Sequence, residues 1–497
     1  MALFAVLPIA FCLALAVSAT VPALGGLRRY AGVLASAVVL VSGLVLVVAV
    51  LDGQTPTAMA DQLRVDALSA FMLMVVGSVG LTATWGGLEP RPAPSSTSSS
   101  TPGTTAAYPA LVALFLGAMS LAVLADNIGV LWVAIEATTI ATAFLVGHHR
   151  NRRSLEAAWK YVVLASVGVA IALLGIVLLY AATLSAGAPT LSWSQLDTDR
   201  PPLDPSLVRV AAALAILGFA TKAGLAPMHS WLPDAHSQAP APVSGLMSGV
   251  LLSVAFYAIL RVQAIAGPVI GLDLMRGMLV TAGLLSLAVA AALTIRQRDL
   301  KRMLAYSSIE HMGLLALAAA AGGVLALSAA LLHVLGHGLA KSSTFVASGR
   351  ILATEGTTST TAIRGLLSRR PGVAVPFLVG MVALLGLPPF SLFFSEVAIV
   401  IAGVEQGLTW VMAVAVLLML VLFAGLARHT SAVMFGQGTA PGRSEPDEPP
   451  DGPSHGTTHG PWLPLALALG ATAVIGFAAS PFSTILAEAA AVLGATQ

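Results

Sequence analysis

Apolar runs of about twenty residues, parted by short polar segments, recur from one end of the chain to the other. They fall near 3–24, 31–51, 66–85, 107–125, 128–147, 157–182, 207–231, 241–261, 276–295, 302–321, 323–348, 372–402, 408–428 and 462–480. About 20 apolar residues are what a helix needs to cross a hydrocarbon core. The pattern therefore predicts an all-α polytopic membrane protein with about 14 transmembrane helices. The 372–402 run is too long for a simple span and carries Pro388 and Pro389, so it reads as two half-helices. The first run, Met1 to Leu24, lacks a basic leader and a small-residue cleavage site and reads as a retained helix.

Composition sharpens this picture. The chain is 57% hydrophobic and 9% charged, with a mean hydropathy of +0.91, whereas soluble domains carry about a quarter charged residues. The lone Cys12 excludes a disulfide framework, a thiolate zinc site and an iron–sulfur cluster. A net charge of +2 gives no sign of a nucleic-acid partner. With the amino terminus outside, the inner loops hold Arg28, Arg29, Arg91, Arg150, Arg152, Arg153, Lys160, Arg296, Arg298, Lys301, Arg302, Arg350, Arg364, Arg369, Arg370, Arg428 and Arg443. The outer loops hold only Arg64, Arg200, Arg209 and Arg276. Basic residues concentrate on the cytoplasmic side, so both termini are expected outside. Arg261 is read as ending its helix at the outer face, which leaves Lys222 and Lys341 as the cations within spans.

Residues 86–106, with the Ser/Thr/Pro-rich stretch Pro92 to Thr105, and residues 437–461, with Glu445 to Pro453, are low in complexity and read as disordered inner loops. His455 and His459 in the second read as part of a solvated linker rather than a metal site. The expected organisation is three helices and a loop over 1–106, a five-helix unit over 107–263, a second over 264–430, and a loop with a last helix over 431–497. An internal echo supports the two units. Gly224-Leu225-Ala226-Pro227 follows Lys222, and Gly386-Leu387-Pro388-Pro389 precedes Glu396, five helices apart. An odd number of helices per unit inverts the second unit, the plan of many transporters.

The chemistry lies in charges placed among apolar residues. Lys222 sits within the run Leu207 to Trp231 and is followed by Pro227 to His236, Pro-Met-His-Ser-Trp-Leu-Pro-Asp-Ala-His. A lysine at that depth costs about 3 kcal/mol on insertion scales, so it is kept for pairing or transport. Glu136 has no other charge between Asn127 and Gly147 and calls for a cation, for which Lys222 is the natural partner. A static pair locking two helices is the plain alternative. His333, His337 and Lys341 recur every fourth residue on one helix face, over roughly 12 Å, a spacing that can pass a proton through water. A structural polar seam is the alternative there, and a metal site lacks an evident third ligand. Glu396, beyond the second proline break, could receive a proton from Lys341. Glu310 and His311 read as an inner-side way in, although neighbours on a helix point apart. His229, Asp234, His236 and Arg261 read as supporting groups, Asp234 and His236 equally as capping and hydrogen-bonding residues.

At these residues the chain resembles the proton-conducting membrane subunits shared by respiratory complex I, multi-subunit cation/proton antiporters and membrane-bound hydrogenases. The likeness runs from about 107 to 430 and rests on Glu136, on Lys222 with Pro-x-His-x-Trp-Leu-Pro-Asp-Ala-His, on Asp299-Leu300-Lys301-Arg302, on His333-x-x-x-His337-x-x-x-Lys341, and on Glu396. It implies fourteen helices, two inverted five-helix repeats, and broken seventh and twelfth helices. The phrase Ala305 to Gly313, with Glu310, most resembles the hydrogenase-4 component F type. Several complex I relatives place a lysine where this chain has Ser253, which departs from their first-half relay. The chain stops soon after its fourteenth run, so the long lateral helix of the largest such subunit is not expected.

The resemblance implies a proton-translocating subunit, moving protons or sodium, of a redox complex in the bacterial cell (inner) membrane. Its partners would be other membrane subunits of that complex, peripheral iron–sulfur redox subunits and lipid. With no dinucleotide fingerprint and no cysteine cluster, no cofactor is expected in this chain. A subunit of a sodium/proton antiporter is the alternative of the same class. A polytopic lipid-modifying enzyme would instead need catalytic acids at a membrane face.

Overall fold

The computed structural model describes residues 1–20, 28–88, 102–199, 201–437, 460–478 and 480–495. The chain is an all-α polytopic membrane protein. Beside its helices it holds a two-residue antiparallel hairpin, Thr57–Ala58 with Leu63–Arg64. Most of the two low-complexity loops, with His455 and His459, lies outside the described residues.

The helices that carry the argument are α1 Ala2–Thr20, α2 Ala31–Leu51, α3 Ala67–Gly86, α4 Pro102–Leu124, α5 Ile128–Val146, α6 Arg152–Ser185, α7 Pro205–Lys222, α8 Trp231–Gln238, α9 Ala241–Ile270, α10 Asp273–Thr294, α11 Leu300–Ala321 and α12 Gly323–Glu355. They continue with α13 Pro371–Leu384, α14 Ser391–Glu405, α15 Thr409–Phe435, α16 Leu463–Phe477 and α17 Ser480–Val492. Among the described residues, 12 helices are long and apolar enough to cross a membrane. The other two expected spans are the broken pair α13 and α14, and α16, which forms an 84° bend with the helix that follows. The apolar pattern gave no sign of α17.

A chain in hydrocarbon satisfies its backbone polar groups within helices, and polar side chains settle the helix starts. Asn127 Oδ1 accepts from the amides of Gly129 (2.8 Å) and Val130 (3.3 Å) at the start of α5. Asp66 and Ser69 cap α3 reciprocally, and Asp299 accepts from Arg302 N (2.8 Å) at α11. Helix contacts are made close by small residues. A Cβ on Gly218 of α7 would collide with the backbone of Gly168 and Ala172 in α6. That seam brings Lys222, at the end of α7, against the α6 side chains.

Helices α9 and α11 are buried along the whole of their apolar length and α12 over most of it, while α6 and α15 show much of their apolar surface. The central layer therefore holds the histidines and Lys341, and apolar faces surround it. Both expected breaks are present. α7 stops at Lys222, several residues short of the expected Trp231, and the chain passes through Gly224 (φ +75°). α13 stops at Leu384 and the chain passes through Gly386 (φ +60°). α9 carries one π turn, Met247–Leu251, which the sequence pattern did not announce.

Candidate functional site

In the first cluster Glu136 and Lys222 meet through a hydroxyl rather than directly. Lys222 Nζ donates to Thr139 Oγ1 (2.7 Å) and to Tyr161 OH (2.7 Å). Thr139 Oγ1 donates in turn to Glu136 Oε2 (3.2 Å), and Ser166 Oγ donates to Glu136 Oε1 (2.9 Å). Thr142 Oγ1 donates to Thr138 O (2.6 Å), so at 2.6 Å from Tyr161 it accepts the phenol's proton. Lys222 is fully buried, and Glu136 is half-buried at the side of the bundle. The expected ion pair is thus a pair bridged by Thr139.

The segment after Lys222 is anchored piece by piece. Trp231 Nε1 donates to Thr221 O (2.9 Å), and Ala226 N donates to Ser286 Oγ of α10 (2.9 Å). The Trp231 ring lies 4.9 Å from that of Tyr161 and 6.2 Å from that of His236. His236 is buried, bonds Leu232 O through Nδ1 (2.9 Å), and has no partner for Nε2 among the described residues. His229 is half-buried, with no partner for its Nδ1 among the described residues. Asp234 has a different place from the expected cap: it pairs with Lys160 (3.2 Å) and Arg302 (2.9 Å) in an ionic cluster joining α6, α8 and α11.

The second cluster lies between α11, α12 and α14. Ser395 Oγ donates to Leu392 O (2.9 Å), so it accepts from His333 Nδ1 at 3.0 Å. A neutral His333 with its proton on Nδ1 presents a lone pair on Nε2, which takes the proton of His311 Nδ1 at 3.1 Å. This assignment leaves a lone pair on His311 Nε2, a buried atom without a partner among the described residues. The His337 ring lies 4.8 Å from that of His311, and both its nitrogens are without a partner among the described residues. Lys341 Nζ donates to Leu304 O (2.8 Å), an oxygen that also receives Ser308 Oγ (3.0 Å), and Ser308 holds Ser248 Oγ at 2.7 Å. Ser248 sits on the π turn of α9, so that turn delivers the polar link to the second half.

Glu310 and Glu396 line one cavity of about 410 Å³, together with Gly386 and apolar residues of α13, α14 and α15. Glu310 is buried, with no partner for Oε2 among the described residues, and Glu396 is half-buried. Single donor atoms of His311, His333 and Glu396 lie within 4.8 Å of one another. A Cβ on Gly386 would collide with the Glu396 carboxylate.

Three expectations change. Glu310 and His311 stand ten residues into the 22-residue α11, about 15 Å from its start, so they lie at mid-depth rather than at an inner way in. Arg261 does not end its helix: α9 continues to Ile270, and the buried guanidinium pairs with Asp66 and donates through Nε to Tyr257 OH (3.0 Å). Lys301, expected in a loop, is buried in the first turn of α11 and donates to Ala239 O. Ser253 turns back to Gly249 O (3.3 Å) within its own helix. The residues that sequence reasoning missed are hydroxyls: Thr139, Thr142, Tyr161, Ser166, Ser248, Ser308 and Ser395. The spacing of Thr139 three residues after Glu136 was the one available signal.

Residues 125–422, which hold both clusters, match the family described as NADH:quinone oxidoreductase/Mrp antiporter, TM. The chain belongs to this family. A hydrogenase-4 component F homolog of Methylacidiphilum infernorum is 42% identical over 58% of this chain and 61% of its own length. NADH-quinone oxidoreductase subunit N of Desulforudis audaxviator is 37% identical over 56% of this chain and 55% of its own. The chain thus spans less than two thirds of the length of these relatives. A chain of the membrane-bound sulfane sulfur reductase, an archaeal respiratory membrane complex, superposes with a TM-score of 0.84 at 26% identity, covering 98% of this chain and 97% of that one. A chain of the Mrp complex from Dietzia sp. DQ12-45-1b has the same fold, with a TM-score of 0.82 at 22% identity over 99% and 98%. Family members therefore occur in redox complexes and in antiporters alike.

Proposed function

We propose that this chain is a proton-translocating membrane subunit of a respiratory-type redox complex, of the hydrogenase-4 or formate-hydrogenlyase kind. One observation carries the reading. Two clusters of ionisable side chains, Glu136 with Lys222 and Lys341 with Glu310, His311, His333, His337 and Glu396, lie buried or half-buried within the apolar helices, each bonded to hydroxyls. A scaffold has no use for so many buried charges, since each costs several kilocalories unless paired.

The hydrogen bonds give the route a direction that chemistry can use. A hydroxyl accepts on one lone pair while donating its own proton, so a proton arriving at Thr139 from Lys222 releases one toward Glu136. Tyr161 does the same between Lys222 and Thr142. In the second half, protonation of His311 Nε2 pushes a proton through Nδ1 to His333, and His333 faces Ser395. The unpartnered atoms of His236, Ser307, Glu310, His311 and His337 would each cost about 1–3 kcal/mol if left dry. Water bridging these atoms would complete the line from His236 to Glu396. Ser248 and Ser308 tie α9 to α11 beside Lys341, the place where the two halves meet.

The finer assignment draws on the hydrogenase-4 relative and on the phrase around Glu310. It implies partner membrane subunits, a peripheral iron–sulfur subunit that carries the redox chemistry, and a bacterial cell membrane with both termini outside. The test uses the complex in sealed vesicles, with proton movement followed by a pH-sensitive dye and partner redox chemistry followed with an artificial acceptor. Lys341→Met is expected to abolish proton movement and leave the redox rate measurable. Normal movement in that variant would sink the route. Proton movement that needs sodium and no redox substrate would instead support the antiporter reading.

A further inference from the structure

We infer that His311, His333 and Glu396 form a binding site for one divalent transition-metal ion of the zinc type, and that the ion blocks proton transfer when bound. The inference rests on the proposed proton route for its consequence but not for its geometry. Three helices each contribute one donor, and the three donor atoms lie within 4.8 Å of one another. His311 Nδ1 and His333 Nε2 are 3.1 Å apart, close to the ~3.3 Å that two Zn–N bonds of about 2.0–2.1 Å span at a tetrahedral angle. A Glu396 carboxylate oxygen, within 4.8 Å of both nitrogens, completes such a set by a side-chain shift. Room for that movement exists, because half-buried Glu396 borders the 410 Å³ cavity.

The surroundings fit an ion as well as a proton. His333 is held by Ser395 through Nδ1 at 3.0 Å, which sets the tautomer and leaves Nε2 as the donor, as outer partners do for metal-bound histidines. Binding at His311 Nδ1 requires its proton to move to Nε2, and that atom is unpartnered. The fourth position is open to water, as in zinc sites with three protein ligands. Two imidazoles and one carboxylate suit zinc, copper, nickel or iron rather than calcium or magnesium. An ion there occupies the lone pairs through which His311 and His333 exchange a proton, so transfer stops. The two histidines four apart on α12 hid this site, because its other donors come from α11 and α14.

The complex is incubated with Zn2+, freed of loose metal on a desalting column, and its zinc counted per chain by elemental analysis. The wild type is expected to hold one ion more than either His333→Gln or Glu396→Gln. The His148→Gln, His149→Gln double variant removes the neighbouring pair at the end of α5, whose rings are 5.8 Å apart, and is expected to keep the ion. Co2+ in place of Zn2+ should give the intense visible bands of a four-coordinate site. In vesicles, Glu396→Gln should raise the zinc concentration that halves residual proton movement by about tenfold or more. Equal zinc in the wild type and both site variants would overturn the site, as would loss of the ion in the His148/His149 variant. Zinc held by a wild-type complex that moves no protons even without zinc would overturn the transport reading alone.

Discussion

Thr139 stands between two charges, accepting from Lys222 and donating to Glu136, and this makes a test of relay against static pairing. Thr139→Val keeps the shape and removes the hydroxyl. A buried ammonium then loses one of its two acceptors, at about 1–3 kcal/mol, and the proton loses its bridge. Proton movement in vesicles should fall by about tenfold or more, the equivalent of 1.4 kcal/mol on a barrier. Thr139→Ser should restore it. Unchanged movement in Thr139→Val would show the bridge to be structural. Glu136→Gln leaves Lys222 without its counter-charge while filling nearly the same volume, so movement should fall sharply in a complex that still assembles. The charges were legible in the sequence because they are costly and rare among apolar residues. The hydroxyls were not, because most serines and threonines in such helices only return to a carbonyl of their own turn, as Ser120 and Thr82 do. Nothing in one sequence distinguishes Ser395, which holds His333, from those.

Gly386 links the chain's local conformation to the site, since its φ of +60° lies in the left-handed region and its missing Cβ makes room for the Glu396 carboxylate. Gly386→Ala costs about 1–2 kcal/mol for the left-handed conformation alone and displaces Glu396. The expected result is an assembled complex with proton movement reduced more than Gly356→Ala reduces it, Gly356 having the same hand of backbone (φ +69°) and nothing within 4 Å of its Cβ position. Equal effects of the two would separate Glu396 from the break. Helix existence and both breaks were readable from apolar run lengths and Pro/Gly spacing, whereas helix ends depended on partners remote in sequence. α9 runs past Arg261 because Asp66, at the start of α3, pairs with the guanidinium. Burial pushes the Asp66 carboxyl upward, but Arg261 and the Ser69 hydrogen bonds outweigh it and hold the group below the usual carboxylate value. A lowered folded value means this contribution is full above the ordinary carboxylate range and is lost as pH falls through the folded value. Arg261→Met leaves Asp66 unpaired and should lower the thermal unfolding temperature in detergent at neutral pH. The deficit should narrow in acid, and a deficit independent of pH would count against the pairing.

The membrane orientation of the whole molecule ties these pieces to a direction of transport. Seventeen of the 24 basic residues fall on the side expected to be inner, a bias that holds for short loops. The folded chain adds a second argument. Lys160, Asp234 and Arg302, from three elements distant in sequence, meet in one ionic cluster on that side, while the opposite side carries the Asp66–Arg261 pair and Asp126 bonded to Ser192 and Ser194. Basic residues concentrate on the cytoplasmic side, so the end with Lys160 and Arg302 is the one expected to face the cytoplasm. Thr198, in the short helix Trp193–Asp199 before α7, and Thr361, in the connection before α13, are exposed residues at the two ends. In a Cys12→Ser background, Thr198→Cys should react with a membrane-impermeant thiol reagent in intact cells, and Thr361→Cys only after the membrane is opened. The reverse pattern would invert the topology and send the proposed route the other way. Reaction at both sites in sealed cells would mean that the chain inserts without a fixed orientation, and a fixed orientation is what vectorial proton movement requires.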